Sequence, residues 1–174
     1  MTSMFHGKAT FNSNISNWRV NFTNMERMFS GASSFNQDIS KWNVSAVTNM
    51  IGMFNLAVEF NSDISGWDVR SPGQYMFKRA TKFNQNLCPW GSKLSSTFNY
   101  GSLIEMFALS GCPNTNSPTG RTGPWCKATC PWWPPQLVFL VKVRCILWNK
   151  LWCLVWICVC QAVFCCCKGF LINY

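Results

Sequence analysis

The pair Met-Phe recurs at Met4-Phe5, Met28-Phe29, Met53-Phe54 and Met76-Phe77, at spacings of 24, 25 and 23 residues, and a fifth pair, Met106-Phe107, follows 30 residues later. Other positions keep the same step. Phe-Asn returns at Phe11-Asn12, Phe35-Asn36, Phe60-Asn61 and Phe83-Asn84; an aliphatic residue returns at Ile15, Ile39, Ile64 and Leu87; tryptophan returns at Trp18, Trp42, Trp67 and Trp90. One unit of this size cannot bury its own apolar face, so neighbouring units stack and equivalent side chains fall into columns. Each large apolar side chain buried in such a column contributes on the order of 1.5–3 kcal/mol.

Within a unit the pattern changes character. "WNV" and "WDV" alternate apolar and polar residues, as a short half-buried strand does. Downstream, Val47, Met50, Met53, Phe54, Ala57 and Phe60 are separated mostly by three, the stripe of an amphipathic helical segment. The expected fold class is an α/β repeat whose unit is strand, turn, helical segment, turn, with parallel strands aligned across units. Asn12, Asn36, Asn61 and Asn84 are expected to point inward and satisfy turn backbone. Pro72, in "WDVRSPGQYM", should break the first helical turn of its unit.

Three regions follow: residues 1–112 carry the repeats, 113–135 form a Pro/Cys-rich linker or cap, and 136–174 form a Trp/Cys-rich apolar tail. Of the net charge of +9, the part before residue 106 holds all six acids and nine bases, and the rest holds six bases. The cations are scattered, with Lys78, Arg79 and Lys82 the one local cluster, so no nucleic-acid partner is expected.

The units "MFSGASSFNQDISKWNVSAVTNM" and "MFNLAVEFNSDISGWDV" closely resemble the BspA-type leucine-rich-repeat surface proteins, including the mycoplasma-type lipoprotein repeat, over residues 4 to about 112. The resemblance implies a right-handed leucine-rich-repeat solenoid, a cell-surface or extracellular setting, and binding of a protein or glycan rather than catalysis. The polar residues beside the inward strand positions would then line a concave strip: Arg19 and Asn21, Lys41 and Asn43, Asp68 and Arg70, with Asn17, Ser45 and Gly66 among them. A structural spacer or coat segment with no dedicated ligand is the other reading. No cofactor or metal is expected. Asp38 and Asp63 occupy equivalent places, but Asn14 and Asn86 stand there in the flanking units, so local turn formation accounts for them better than catalysis or calcium.

"MTSMFHGKAT" lacks the apolar core of an export signal. The chain opens inside a unit, so the expectation is the end of a longer array, with further units before it, or an incomplete coding sequence. Cys88, Cys112, Cys126 and Cys130 allow three pairings, expected as capping disulfides if the chain is exported. The sequons at Asn14, Asn21 and Asn43 matter under the same condition. In the tail, residues 137–168 include an uncharged run of 17 residues, Leu151 to Cys167, at the lower limit for a membrane helix. Acids vanish there while Trp and Cys surge, which an out-of-frame translation would also produce; a packed cap helix is the third alternative.

Overall fold

Ten residues with left-handed backbone, two per unit, decide the architecture. In the computed structural model, which describes residues 1–127 and Cys130, the residue before each Met-Phe pair and the residue two after it have φ between 48° and 73°. They are Ser3 and Gly7, Arg27 and Gly31, Gly52 and Leu56, Tyr75 and Arg79, and Glu105 and Leu109. A right-handed helix cannot pass through such positions. The chain therefore coils as consecutive tight turns.

Alternate backbone groups then take different partners. In the second unit the N–H groups of Arg27, Phe29 and Gly31 donate to the carbonyls of Ile51, Met53 and Asn55 in the unit that follows, at 2.9, 2.9 and 2.7 Å. Those of Met28, Ser30 and Ala32 close turns on Met25, Arg27 and Phe29. The carbonyls of Glu26, Met28 and Ser30 receive Ser3, Phe5 and Gly7 from the unit before. The scheme recurs from Gly52, Phe54 and Leu56 to Gln74, Met76 and Lys78, and from Tyr75, Phe77 and Arg79 to Ile104, Met106 and Ala108. Units one to four thus donate to the unit that follows and units two to five accept from the one before, so the stack is hydrogen-bonded without strands.

The leucine-rich-repeat solenoid with parallel strand rungs and helical segments is overturned by this arrangement. Among the described residues there is no β-strand; Asn24 and Asn49 make one isolated parallel bridge. Among the same residues, helix is confined to α1 (Cys88–Lys93) and a 3-10 turn at Tyr100–Ser102. The stripe Val47, Met50, Met53, Phe54, Ala57 and Phe60 is buried throughout, but its steps of three come from successive i to i+3 turns, with Gly52 and Leu56 left-handed among them. At "WNV" no strand forms: Trp42 N closes a turn on Ile39 O and Val47 N closes one on Val44 O. No helix is present for Pro72 to break; Pro89 instead lies in the first turn of α1, where its missing N–H costs nothing.

The core runs along the stack. Phe5, Phe29, Phe54, Phe77 and Phe107 form a column with centroids 5.3–5.7 Å apart. Phe11, Phe35, Phe60 and Phe83 form a second, at 5.8–5.9 Å. Within a unit the two rings stack at about 4 Å, as in Phe29 with Phe35 and Phe54 with Phe60. Trp42, Trp67 and Trp90 are buried beside them, whereas Trp18 in the first unit is 37% exposed.

Residues 113–127 and Cys130 continue as irregular chain. The structure pairs Cys88 with Cys130 and Cys112 with Cys126. Trp125, fully buried, directs its indole N–H to the carbonyls of Gly120 and Arg121 and accepts Leu87 N at its own carbonyl. Gly91 admits this segment: a Cβ there would lie 2.0 Å from the Arg121 carbonyl oxygen. The expected apolar helical tail, 136–174, and its candidate membrane segment, 137–168, lie outside the described residues. Among the described residues no helix is long and apolar enough to cross a membrane.

Candidate interaction surface

Around Trp42 and Trp67, burial alternates without a strand. Lys41, Asn43 and Ser45 are exposed while Trp42 and Val44 are buried; Gly66 and Arg70 are exposed and Asp68 is half-buried, around buried Trp67 and Val69. Arg19 and Asn21 are exposed as well. The strip positions therefore recur on the solvent side of successive units. Their chemistry differs from unit to unit.

Several of these side chains are engaged inside the molecule. Asn43 Oδ1 accepts from Ser45 N at 3.1 Å and from Ser45 Oγ at 2.7 Å. Asp68 accepts from Arg70 at 2.9 Å, an exposed pair. The Arg70 hydrogen bond holds the Asp68 carboxyl below the usual carboxylate range, and the carboxylate raises Arg70 in turn. Arg19 and Lys41 make no ion pair among the described residues. They are the free cations of the strip.

Lys93 belongs to this strip and was missed by inspection of the sequence. It stands three residues after Trp90, as Asn21, Ser45 and Arg70 do after Trp18, Trp42 and Trp67. Its ammonium donates to the carbonyls of Ser65, Gly66 and Trp67 at 3.2, 3.0 and 2.7 Å. Burial pushes Lys93 below the ordinary lysine value, with the Asp68 carboxylate acting the other way. The offset from Trp90 was the signal available in the sequence, obscured by "LCPWGSK" replacing "ISGWDVR".

The amide column differs from expectation. Asn12, Asn36 and Asn84 are exposed and Asn61 is half-buried, so they do not point inward. Each side-chain oxygen instead receives the next unit's backbone: Asn36 N to Asn12 at 3.0 Å, Asn61 N to Asn36 at 2.8 Å and Asn84 N to Asn61 at 2.9 Å. Lys127 Nζ ends the series on Asn84 at 3.2 Å. Beside it, Asn14, Asp38, Asp63 and Asn86 each accept the N–H two residues on, at 2.9–3.1 Å. Hydrogen bonds from Ser40 hold Asp38 below the usual carboxylate range. Among the described residues no cluster of His, Cys, Asp or Glu could hold a metal ion.

The basic cluster is largely neutralised by acids of adjacent units. Lys78 pairs with Glu105 and lies 5.1 Å from the Tyr75 ring centroid, and Lys82 pairs with Glu59 at 2.6 Å. That leaves Arg79 as the cluster's exposed cation outside an ion pair.

A family described as "Mycoplasma protein of unknown function, DUF285" matches residues 1–110. The chain belongs to this family. The match takes in all five Met-Phe units, and membership is compatible with a surface protein. Searches of curated proteins and of solved structures each return no match. In this DUF285 chain the match covers the repeats and ends before the disulfide-bonded Cys112.

Proposed function

We propose that this DUF285 chain is a non-enzymatic, surface-exposed interaction module that binds a protein or glycan partner through its stacked units, a BspA-like surface protein in role. One contrast carries the reading: exposed positions around Trp18, Trp42 and Trp67 change chemistry from unit to unit, while the Phe and Trp columns stay constant. A constant core presenting a varied surface is how repeat arrays recognise partners. Arg19 and Lys41, exposed and outside ion pairs, are the contacts this reading puts first.

The test is binding of the full chain to a panel of extracellular proteins and glycans, with Arg19→Glu/Lys41→Glu beside the parent. The expected result is at least about a tenfold loss of affinity, about 1.4 kcal/mol, at an unchanged melting temperature. Binding that ignores the double substitution would remove the strip from the proposal. A silent panel would favour a structural spacer or coat segment without a dedicated ligand. That second reading has its own support, since Asn43, Asp68 and Arg70 are satisfied by neighbours.

A further inference from the structure

Side chains that the turn coil holds at a cost meet at the junction of units three and four. The second left-handed position of a unit is glycine in units one and two, at Gly7 and Gly31, but Leu56, Arg79 and Leu109 hold it in units three to five. The first left-handed position, Gly52 in unit three, is Tyr75 in unit four. An L residue keeps this backbone at a cost that glycine avoids, and residues strained in this way gather where a molecule makes contacts. Leu56, Tyr75 and Arg79, with Asn55 and Lys78, line a cleft of about 230 Å³.

The backbone donors of the three left-handed residues are spent inside the stack. Leu56 N bonds to Lys78 O, Tyr75 N to Ile104 O and Arg79 N to Ala108 O, at 2.9, 2.9 and 2.8 Å. What they add to the cleft is therefore their side chains. Leu56 is 40% exposed; Arg79 is exposed and Tyr75 half-buried. Lys78 Nζ lies 5.1 Å from the Tyr75 ring centroid and is answered by Glu105, whereas Arg79 makes no ion pair among the described residues. No acidic residue lines the cleft. It combines an exposed aliphatic side chain, an aromatic ring and one uncompensated guanidinium, and Tyr and Arg are the residues that carry most binding energy in protein interfaces.

We propose that this cleft binds an acidic peptide segment, in which a carboxylate is flanked by apolar side chains. Arg79 supplies the planar pair of donors that a carboxylate matches, and Leu56 with the Tyr75 ring covers the apolar neighbour. The column continues with Leu109, 64% exposed, in the unit that Arg79 N joins. An aliphatic, a cationic and an aliphatic side chain thus succeed one another along three units, and an apolar–acidic–apolar segment is their complement. Hydroxyl groups of a sugar would lose water against Leu56 and Leu109 without gaining a partner there, which selects peptide over glycan. The inference goes beyond the reading above, since neither Arg19 nor Lys41 lines the cleft.

The test is an NMR titration of the full chain with an acetylated, amidated pentapeptide alternating leucine and glutamate, beside its leucine–glutamine and glycine–glutamate counterparts. Leu56→Gly and Arg79→Gly are the variants, because glycine stands at this position as Gly31 in unit two. Both should melt at or above the parent's temperature, which separates a lost contact from a lost fold. The expected result is saturable shifts of the Leu56 methyls, the Tyr75 ring and the Arg79 Nε–H. Each variant, and each counterpart peptide, should show at least about a tenfold loss of affinity. No saturable shift, equal binding of the glutamine peptide, or variants that bind like the parent overturns the proposal. So does a heparin-derived tetrasaccharide that shifts these groups when the peptide does not, which would assign the cleft to an acidic glycan. None of these outcomes touches the strip, whose own test reads Arg19 and Lys41.

Discussion

The indole N–H of Trp67 donates to the carbonyl oxygen of Ile39 in the preceding unit at 3.0 Å, and that oxygen also receives Trp42 N at 3.1 Å. Trp42 repeats the contact on Ile15 and Trp90 on Ile64, at 3.2 and 3.0 Å. The tryptophan column therefore fills space and ties unit to unit at a buried polar atom.

Trp67→Phe keeps most of the apolar volume but removes the donor. We predict a loss of about 1–3 kcal/mol in urea unfolding. Trp42→Ala and Phe35→Ala, which open cavities between units, should cost about 3–5 kcal/mol and unfold the array, while Lys41→Ala stays within about 0.5 kcal/mol of the parent. A melt unchanged by Trp42→Ala would contradict the packing described above.

The left-handed positions make opposite predictions for substitutions to and from glycine. Leu109 has φ of 58° and is 64% exposed, so Leu109→Gly relieves strain and sacrifices little burial; it should gain about 1 kcal/mol. Gly31, with φ of 73°, occupies the same place in its unit, and Gly31→Val should lose about 1–2 kcal/mol. Differential scanning calorimetry on the two variants checks both signs. If both shift the melting temperature the same way, the left-handed assignment is wrong.

Asp38 predicts a pH effect. Its folded-state pKa lies below the unfolded value because Ser40 hydrogen-bonds its carboxylate. The contribution is therefore present above the ordinary aspartate range, about 4, and is lost as pH falls through the folded value. Asp38→Asn keeps the turn, as Asn14 and Asn86 do at 3.0 and 3.1 Å. The variant should melt like the parent at neutral pH and less steeply with acid below about pH 5. A parallel acid curve would show that Asp38 contributes nothing.

Disulfide loss should be graded by loop length. Cys88–Cys130 closes a separation of 42 residues and Cys112–Cys126 one of 14. In the chain-entropy account, removing them costs about 4 and about 3 kcal/mol respectively. Paired Cys→Ser variants, followed by thermal melts under non-reducing conditions, give the order. A reversed order would point to structure retained in the unfolded chain.

Much of the packing was legible in the sequence because the repeat aligned it. Phe35, Phe60, Phe83, Trp42, Trp67 and Trp90 are buried, and Asn12, Asn36, Asn61 and Asn84 form a regular column. The local conformation was not legible. Turns closed at i+3 place apolar residues at the same intervals as a helix, so Val47 to Phe60 carried a helical pattern without a helix. Glycine marked only three of the ten left-handed positions, Gly7, Gly31 and Gly52; Arg27, Leu56 and Tyr75 gave no such signal. The junction before unit four, two residues shorter from Trp to Met-Phe than the one before it, draws Gly73 against Ile51. "RSPGQYM" hinted at it only as an irregularity.

The one-way transfer of hydrogen bonds bears on how such a chain changes over generations. Every regular unit presents the same acceptors to the one before and the same donors to the one after, so any unit is a fitting neighbour for any other. Unequal exchange between near-identical stretches of the gene could lengthen or shorten the array by whole units without a new joint having to be invented. The irregular junction at Pro72 is the exception, since a copy inserted there would have to reproduce its mismatch. The regular part of this protein can vary in reach as freely as its gene recombines, while the junction at Pro72 is inherited as a single, unrepeated feature.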